Sequence, residues 1–388
     1  MNLFYWSPFL SKVATVRAVL NSAISVSKYS KKLIHPHIIN SYGEWNEYKD
    51  EILENNIGLV NFAKDSKKYQ ALPRYGYIKS RASYLIIFLS SFYKLFSFLK
   101  SRNNNDYILI HLISSLPLIL AIIFNFKCKF ILRVSGYPKM NLFRKLLWKM
   151  ANKKLFLIFC PTEDTRNYLS KIRVFDDKKL FVLFDPIVEF RKSFKLRKES
   201  INEFKEQEFL LAVGRLTKQK NHKFLIHNFK KILNIFPELK LVILGEGELK
   251  SDLINQCKKL SIQESIIFKG HVNNVHKYYK NALCFILSSD WEDPGFVLIE
   301  AASSRAPILS ADCPNGPKEF LNNDNGGYLY KQNNEKSFIE KFQLLVSNKK
   351  NKKEVHHAKI LYALKKSKNY TNFRHFTNLS KTIITNQT

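Results

Sequence analysis

The sequence predicts two α/β domains, each a largely parallel sheet with helices on both faces. Three observations carry that expectation. Short apolar runs alternate with helically spaced segments along most of the chain, the pattern of repeated strand–helix–strand units. At 388 residues the chain is too long for one small core, and two domains is the natural division. A highly charged stretch without a core pattern, 191–206 (RKSFKLRKESINEFKE), interrupts the alternation near its middle and reads as a linker. The expected domains are 1–192 and 193–372, followed by a terminal segment, 373–388.

In the first half, residues 2–6 read as the opening strand. A helix follows over 12–27, with Val13, Val16, Val19, Leu20, Ala23 and Ile24 at helical spacing. Residues 33–39, 107–110, 130–134, 155–160 and 181–183 read as further strands, with helices over 84–100 and 143–151. Thr162 reads as the N-cap of a helix opening at Glu163. After the charged stretch the alternation restarts. Strands are expected at 209–213, 239–244, 266–269, 282–287 and 308–310. Helices are expected at 221–234, 248–260 and 275–281, and from 296 onward. Gly245-Glu246-Gly247 closes one strand as a tight turn, and the Pro/Gly-rich 313–318 is a loop. The lysine-rich 349–368 reads as a solvated helix region.

Five scattered cysteines, Cys128, Cys160, Cys257, Cys284 and Cys313, form no close pair. They argue for buried, reduced thiols and a cytosolic setting, and against a disulfide frame or a zinc site. Sixty-three basic residues against 32 acidic give a formal net charge of +31. Such a balance suits nucleic acid, an anionic membrane face or phosphorylated substrates. It is equally what lysine-rich compositional drift produces. The opening apolar stretch is interrupted by Lys12 and Arg17 and does not read as a signal peptide. Residues 84–100 carry Lys94, and 107–124 is broken by His111, Ser114, Ser115 and Pro117. Neither offers the roughly 20 clean apolar residues of a membrane span. The first is expected to pack against a sheet, with a helix lying on a membrane as the alternative.

The most informative stretch is 289–302, SDWEDPGFVLIEAA. It follows a buried strand, turns at Pro294-Gly295 and enters a helix at Phe296. Glu292 lies on the loop, and Glu300 lies in the first turns of the helix. Strand-to-helix junctions at the carboxyl ends of a parallel sheet are where α/β folds bind ligands. Helix-start amides there can meet an anionic or hydroxylated ligand, and carboxylates accept from sugar hydroxyls. A second junction, Gly214-Arg215-Leu216 followed by Lys218-Gln219-Lys220-Asn221, sets two cations at a strand end. Arg offers a bidentate fork and Lys a compact charge, which suits a diphosphate.

With Leu244-Gly245-Glu246-Gly247 and Asp312-Cys313-Pro314-Asn315-Gly316-Pro317-Lys318-Glu319, these motifs stand in an order that resembles the retaining, GT-B-fold sugar-nucleotide glycosyltransferases of family 4 (glycosyl transferases group 1). The resemblance covers residues 209–330. It implies two Rossmann-like domains facing across a cleft, an acceptor domain first and a donor domain second, with 373–388 returning to the first. It implies that Glu292 contacts the transferred sugar and Glu300 the nucleotide ribose. Gly214, Arg215 and Lys220 would line the diphosphate, and Gly245, Gly295 and Phe296 the rest of the donor. Gly316 and Glu319 belong to a loop that the resemblance sets near the donor. Catalytic roles fall to Glu292, Arg215, Lys220 and His111, the last matching a histidine that touches the donor sugar in some relatives.

Two departures stand out. Asp293-Pro294 precede Gly295 where the family often has glycine directly after its first Glu. No glycine-rich loop follows the first strand, so Ser11 and Lys12 take that place as acceptor-side candidates, with Arg133 after a later strand. The expected donor is a UDP- or GDP-sugar, with no cofactor and no metal. The expected acceptor is a glycan or polyprenyl-linked glycan of surface polysaccharide (O-antigen or capsule) synthesis. The expected location is cytoplasmic, peripheral to the anionic inner face of the cell membrane, and no nucleic acid is expected as a partner. The rivals are a sugar-nucleotide epimerase of GT-B fold and a non-enzymatic nucleic-acid-binding protein, the latter suggested by charge alone.

Overall fold

The computed structural model describes residues 1–10, 14–62, 69, 71–73, 77–138, 140–201, 204, 207–292 and 294–387. The chain divides into two compact units. One comprises residues 1–187 with 371–388, and the other comprises residues 188–370.

The first unit is built on a seven-stranded sheet: β1 (Asn2–Trp6), β2 (His35–Asn40), β3 (Gly58–Asn61), β4 (Asp106–Ile110), β5 (Lys129–Arg133), β6 (Leu155–Cys160) and β7 (Leu180–Val182). Its order is β3-β2-β1-β4-β5-β6-β7, and every pairing is parallel. The order reverses between β1 and β4, the kind of switch at which parallel sheets open a ligand crevice. The second unit has six parallel strands: β8 (Phe209–Val213), β9 (Lys240–Leu244), β10 (Ile266–Gly270), β11 (Cys284–Leu287), β12 (Ile308–Ala311) and β13 (Tyr328–Tyr330). Their order, β10-β9-β8-β11-β12-β13, reverses between β8 and β11. Central strands of both sheets are buried along nearly their whole length, as doubly covered parallel strands must be. The five cysteines are free and buried.

Several elements differ from the sequence reading. β3 and β13 were not expected. β3 is a half-exposed edge strand of four residues and β13 has three, too short to show a period. The segment read as a broken apolar run contains the helix Ser115–Ile123. Pro117 falls in its first turn, where the missing N–H breaks no helical bond. The charged linker begins as a helix, Phe190–Leu196, belonging to the second unit. The helix placed at 84–100 runs Tyr77–Lys100, and its part Arg81–Lys100 is long and apolar enough to cross a membrane by length and composition. Leu95 and Leu99 of this helix join the core that also holds Phe4 and Ile108 of the sheet, while Ile87 packs in a separate small cluster with Leu10, Tyr69 and Leu72. The other side of the helix leaves Tyr84, Leu85, Leu89 and Tyr93 exposed.

The last helix, Asn372–Thr385, lies on the first, Ala14–Tyr29. Leu379 and Ile383 join the cluster formed by Val16, Val19, Leu20 and Ala23. Beside them the imidazole of buried His375 bridges the Ser22 hydroxyl and the Phe184 carbonyl, each at 2.7 Å, and Tyr5 meets Ser22 at 3.0 Å. Burial pushes the His375 imidazole down to about 4, against the pull of the Phe184 carbonyl.

That depressed value has a measurable consequence. The unfolded imidazole, ordinary near 6.5, takes up a proton that the folded one refuses. Stability therefore falls as pH drops through about 6.5, and the loss levels off below about 4. Between pH 7 and pH 4.5 the wild type is expected to lose on the order of 2 kcal/mol more than His375→Gln, followed by urea unfolding. Equal losses in the two proteins would show that His375 protonates freely in the folded state.

Candidate functional site

The expected donor residues of the second unit gather at the carboxyl ends of β8 and β11, the two strands at its switch point. β8 leads into Gly214-Arg215, and a single 3-10 turn, Lys218–Lys220, leads to Asn221. Asn221 is left-handed (φ 48°), a conformation that asparagine tolerates, and its side chain caps the helix His222–Leu233 by accepting from the Phe224 N–H. β11 leads into Ser288-Ser289-Asp290-Trp291-Glu292, followed after Gly295 by the helix Phe296–Ser303.

Side chains and backbone hold the two loops together. Lys220 Nζ donates to Glu292 Oε1 at 2.6 Å, with side-chain exposures of only 13% and 4%. Ser289 Oγ donates to the same oxygen at 2.5 Å. Asn221 Nδ2 donates to Asp290 Oδ1 at 2.9 Å, Ser288 Oγ to the Lys220 carbonyl at 2.9 Å, and the Asp290 N–H to the Gln219 carbonyl at 2.8 Å. The 313–318 loop closes the third side. The Glu292 N–H donates to the Pro314 carbonyl at 3.1 Å, and Asn315 Nδ2 donates to the Glu292 carbonyl at 3.0 Å.

Two glycines are there for space. Gly245 is left-handed (φ 135°), and a Cβ on it would stand 2.0 Å from the Gly214 carbonyl oxygen. The turn after β9 thus lies directly on the turn after β8, backbone against backbone. Gly316 (φ 131°) is as tight, its Cβ position lying 2.1 Å from the Pro294 carbonyl oxygen.

Glu300 and Arg215 complete the set. The Glu300 carboxylate receives no hydrogen bond among the described residues, and burial pushes its pKa up to about 7 although the Lys220 charge pulls it down. Lys220 thus pairs with one carboxylate and acts electrostatically on the other. Arg215 is exposed, and its side chain enters no hydrogen bond or ion pair among the described residues. Gly295 (φ 94°) stands at the N-cap of the helix that Phe296 opens. The arrangement can bind an anion at Arg215 and Lys220 and accept hydroxyl protons at Glu292 and Glu300.

Sequence reasoning missed Ser289, Asp290 and His222. The first two flank the junction as ordinary polar residues, and only the pairing of β8 beside β11 shows what they bind. Buried His222 follows Asn221, and burial with the Lys220 charge pushes its imidazole down to about 4, so it is neutral at physiological pH.

The remaining candidates belong to the first unit. His111 follows β4, is buried, and has both ring nitrogens without a hydrogen-bond partner. Burial holds it well below the usual histidine range, reinforced by Arg133. Arg133 ends β5, is 2% exposed, and pairs with Asp185 at 2.8 Å through one nitrogen while Nη1 stays unpartnered. Both line a cavity of about 220 Å³ with Ser135, Tyr137, Arg144 and Trp148. Ser11 and Lys12 lie outside the described residues.

Known proteins share this architecture. Residues 193–360 match the family described as glycosyl transferases group 1. An uncharacterised glycosyltransferase of Methanocaldococcus jannaschii is 30% identical over 329 residues, 80% of this chain and 77% of that protein. The N-acetylgalactosamine-N,N'-diacetylbacillosaminyl-diphospho-undecaprenol 4-alpha-N-acetylgalactosaminyltransferase of Campylobacter jejuni is 34% identical over 148 residues, 38% of this chain and 40% of that protein. The crystal structure of Anabaena HepE in complex with UDP superposes with a TM-score of 0.74 at 12% identity, covering 99% of this chain and 100% of HepE. That likeness identifies the fold as GT-B.

The Lys220–Glu292 pair is expected to behave as one unit. Removing one partner leaves the other charge poorly hydrated, so Lys220→Met and Glu292→Gln should each destabilise by about 3 kcal/mol. The double variant should lose clearly less than the two losses combined, read by denaturant unfolding as a double-mutant cycle. Strict additivity would mean that the two side chains are energetically independent.

Proposed function

The chain belongs to the glycosyl transferases group 1 family, and from that premise we propose that it moves a sugar from a nucleotide-diphosphate donor to a lipid-linked glycan, with retention of configuration, as a family 4 enzyme. The observation that carries this reading is the Lys220–Glu292 pair at the switch point of the second sheet, with Glu300 one helix turn beyond the loop and Arg215 unpaired beside it. Cations for a diphosphate and acceptors for hydroxyls stand on the same strand ends. The acceptor class is suggested by the Campylobacter relative, whose name specifies a diphospho-undecaprenol substrate. The pathway we propose is surface polysaccharide assembly, and the donor a UDP- or GDP-sugar.

In this mechanism Arg215 and Lys220 stabilise the charge that grows on the departing diphosphate, an effect strongest in the transition state. Lys220 has three donors and can hold Glu292 and a phosphate oxygen together. Glu292, fixed by Lys220 and Ser289, orients the sugar and supports positive charge at its reacting carbon. The acceptor attacks from the leaving-group face, and the departing phosphate takes its proton. Glu300 accepts from the ribose hydroxyls. Side chains supply the positive charge, so no metal is required.

We further propose that the enzyme works at the cytoplasmic face of the membrane through its first unit. The helices Tyr77–Lys100, Ser115–Ile123 and Leu142–Ala151 pack side by side. Leu85, Leu89, Ile123, Leu142, Phe143, Leu146 and Met150 on them are exposed, Leu142 at 88%. Asp106 is the single acidic residue between Asp65 and Glu163, while Lys94, Lys100, Lys145, Lys149 and several others are basic. Apolar residues amid unopposed positive charge suit an anionic bilayer surface.

Four outcomes test the reading. In a thermal-shift panel of UDP- and GDP-sugars at least one donor should raise Tm, since a ligand of the native state stabilises it. Arg215→Ala, at an exposed position, should keep Tm and lose on the order of 2–4 kcal/mol of transition-state stabilisation, with wild-type turnover persisting in excess EDTA. Normal turnover in this variant removes Arg215 from the mechanism, and donor turnover without acceptor points to an epimerase.

The raised Glu300 pKa sets the third outcome. Ribose hydroxyls donate to the ionised carboxylate, so affinity for the sugar nucleotide should tighten roughly tenfold from pH 6 to pH 8. Glu300→Gln should bind weakly and without that slope, and an unchanged slope would take Glu300 off the ribose. For the membrane, vesicles of anionic lipid should retain the protein at low salt and release it at high salt. Phe143→Ser with Leu146→Ser should weaken retention at both; binding that ignores lipid charge and this variant alike would leave +31 to compositional drift.

A further inference from the structure

The second unit holds another concavity, at the far end of the helix Phe296–Ser303 from Gly295, about 12 Å along its axis. It encloses about 520 Å³ between that helix end, the helix Phe190–Leu196 and the end of the helix Lys353–Ser367. Phe190, Phe194 and Leu364 give it an apolar wall. Arg191, Arg197, Arg305 and Lys368 surround that wall, and no carboxylate lines it. Arg191, Arg197 and Arg305 form no ion pair among the described residues. Arg197 is half-buried over the Phe194 ring at 5.8 Å. Burial and the neighbouring Arg305 charge both lower its pKa.

We propose that this concavity binds a lipid phosphate, the headgroup across the arginines and its apolar chain along Phe190, Phe194 and Leu364. Three arginines gathered without a counter-ion repel, and an anion among them removes that repulsion. Guanidinium groups take phosphate oxygens in bidentate fashion. The wall offers a chain the burial that a free phosphate cannot use. A nucleotide fits less well. No carboxylate is present to accept ribose hydroxyls, and the Ser303 hydroxyl donates to the Glu300 carbonyl at 2.8 Å, so its proton is not free for a base edge. The proposal goes beyond sugar transfer, since Arg215, Lys220, Glu292 and Glu300 take no part in it.

Calorimetry with dihexanoyl phosphatidylglycerol below its micellar concentration tests it, alongside glycerol 1-phosphate as a more highly charged phosphate without chains. The lipid should bind saturably at one site, and glycerol 1-phosphate at least about tenfold more weakly. Arg197→Gln with Arg305→Asn should weaken the lipid at least about tenfold. Asparagine suits Arg305, whose φ is 59°. The same variant should raise the Tm of the ligand-free protein, because it relieves repulsion, and should bind sugar nucleotides as the wild type does. Unchanged lipid affinity in the variant, equal affinity for glycerol 1-phosphate, or a lowered Tm would each overturn the proposal. Lipid binding in a protein that binds no sugar nucleotide would sink the transfer reading and leave this site standing.

Discussion

The second unit depends on one ion pair. Lys220 and Glu292 are 72 positions apart in the chain, and the pairing of β8 beside β11 brings them to 2.6 Å. Neither charge is well hydrated, so each needs the other. Around them the backbones of both loops are cross-linked, and the 313–318 loop is fastened to Glu292 through its main chain. An anion that arrives at Lys220 therefore meets an ammonium already shared with a carboxylate. Its arrival redistributes hydrogen bonds within a prepared frame and does not have to assemble one.

Much of the fold was legible because buried parallel strands are short apolar runs between punctuating turns. Residues 2–6, 155–160 and 209–213 were read with the bounds the structure gives them. Legibility fails where that contrast is weak. β3 is a half-exposed edge, and β13 is three residues long beside two glycines. The helix Phe190–Leu196 hides in a charge run because its packing rests on a few positions, among them buried Ser193. The junctions at 214–221 and 289–302 were visible, since glycine, proline and charge cluster there against apolar flanks. Contacts between them were not. That Ser289 and Lys220 share one oxygen of Glu292 follows from strand order, and strand order is not written in either segment. Cβ positions at Gly245 and Gly316 are invisible for the same reason: each glycine answers to backbone from another loop.

The glycine contacts and the ion pair set different kinds of limit. A charge can be shared, and Lys220 has donors to spare. A carbonyl oxygen 2.0 Å from a would-be Cβ cannot be shared, so position 245 admits no side chain without moving the turn after β8. Chemistry at these strand ends is adjustable, while the backbone spacing beneath it is not.

The return of the last helix to the first unit bears on how the protein is made. Residues 188–370 are made as one continuous block, whose sheet needs nothing from residues 371–388. The first-made unit has to wait. Until the helix Asn372–Thr385 emerges, the helix Ala14–Tyr29 lacks Leu379 and Ile383 against its apolar side, and Ser22 lacks His375. Domains usually complete in the order of synthesis. Here the order of completion is inverted: before residues 372–385 are made, a finished second unit coexists with a first one that still has an open apolar seam for chaperones and proteases to inspect.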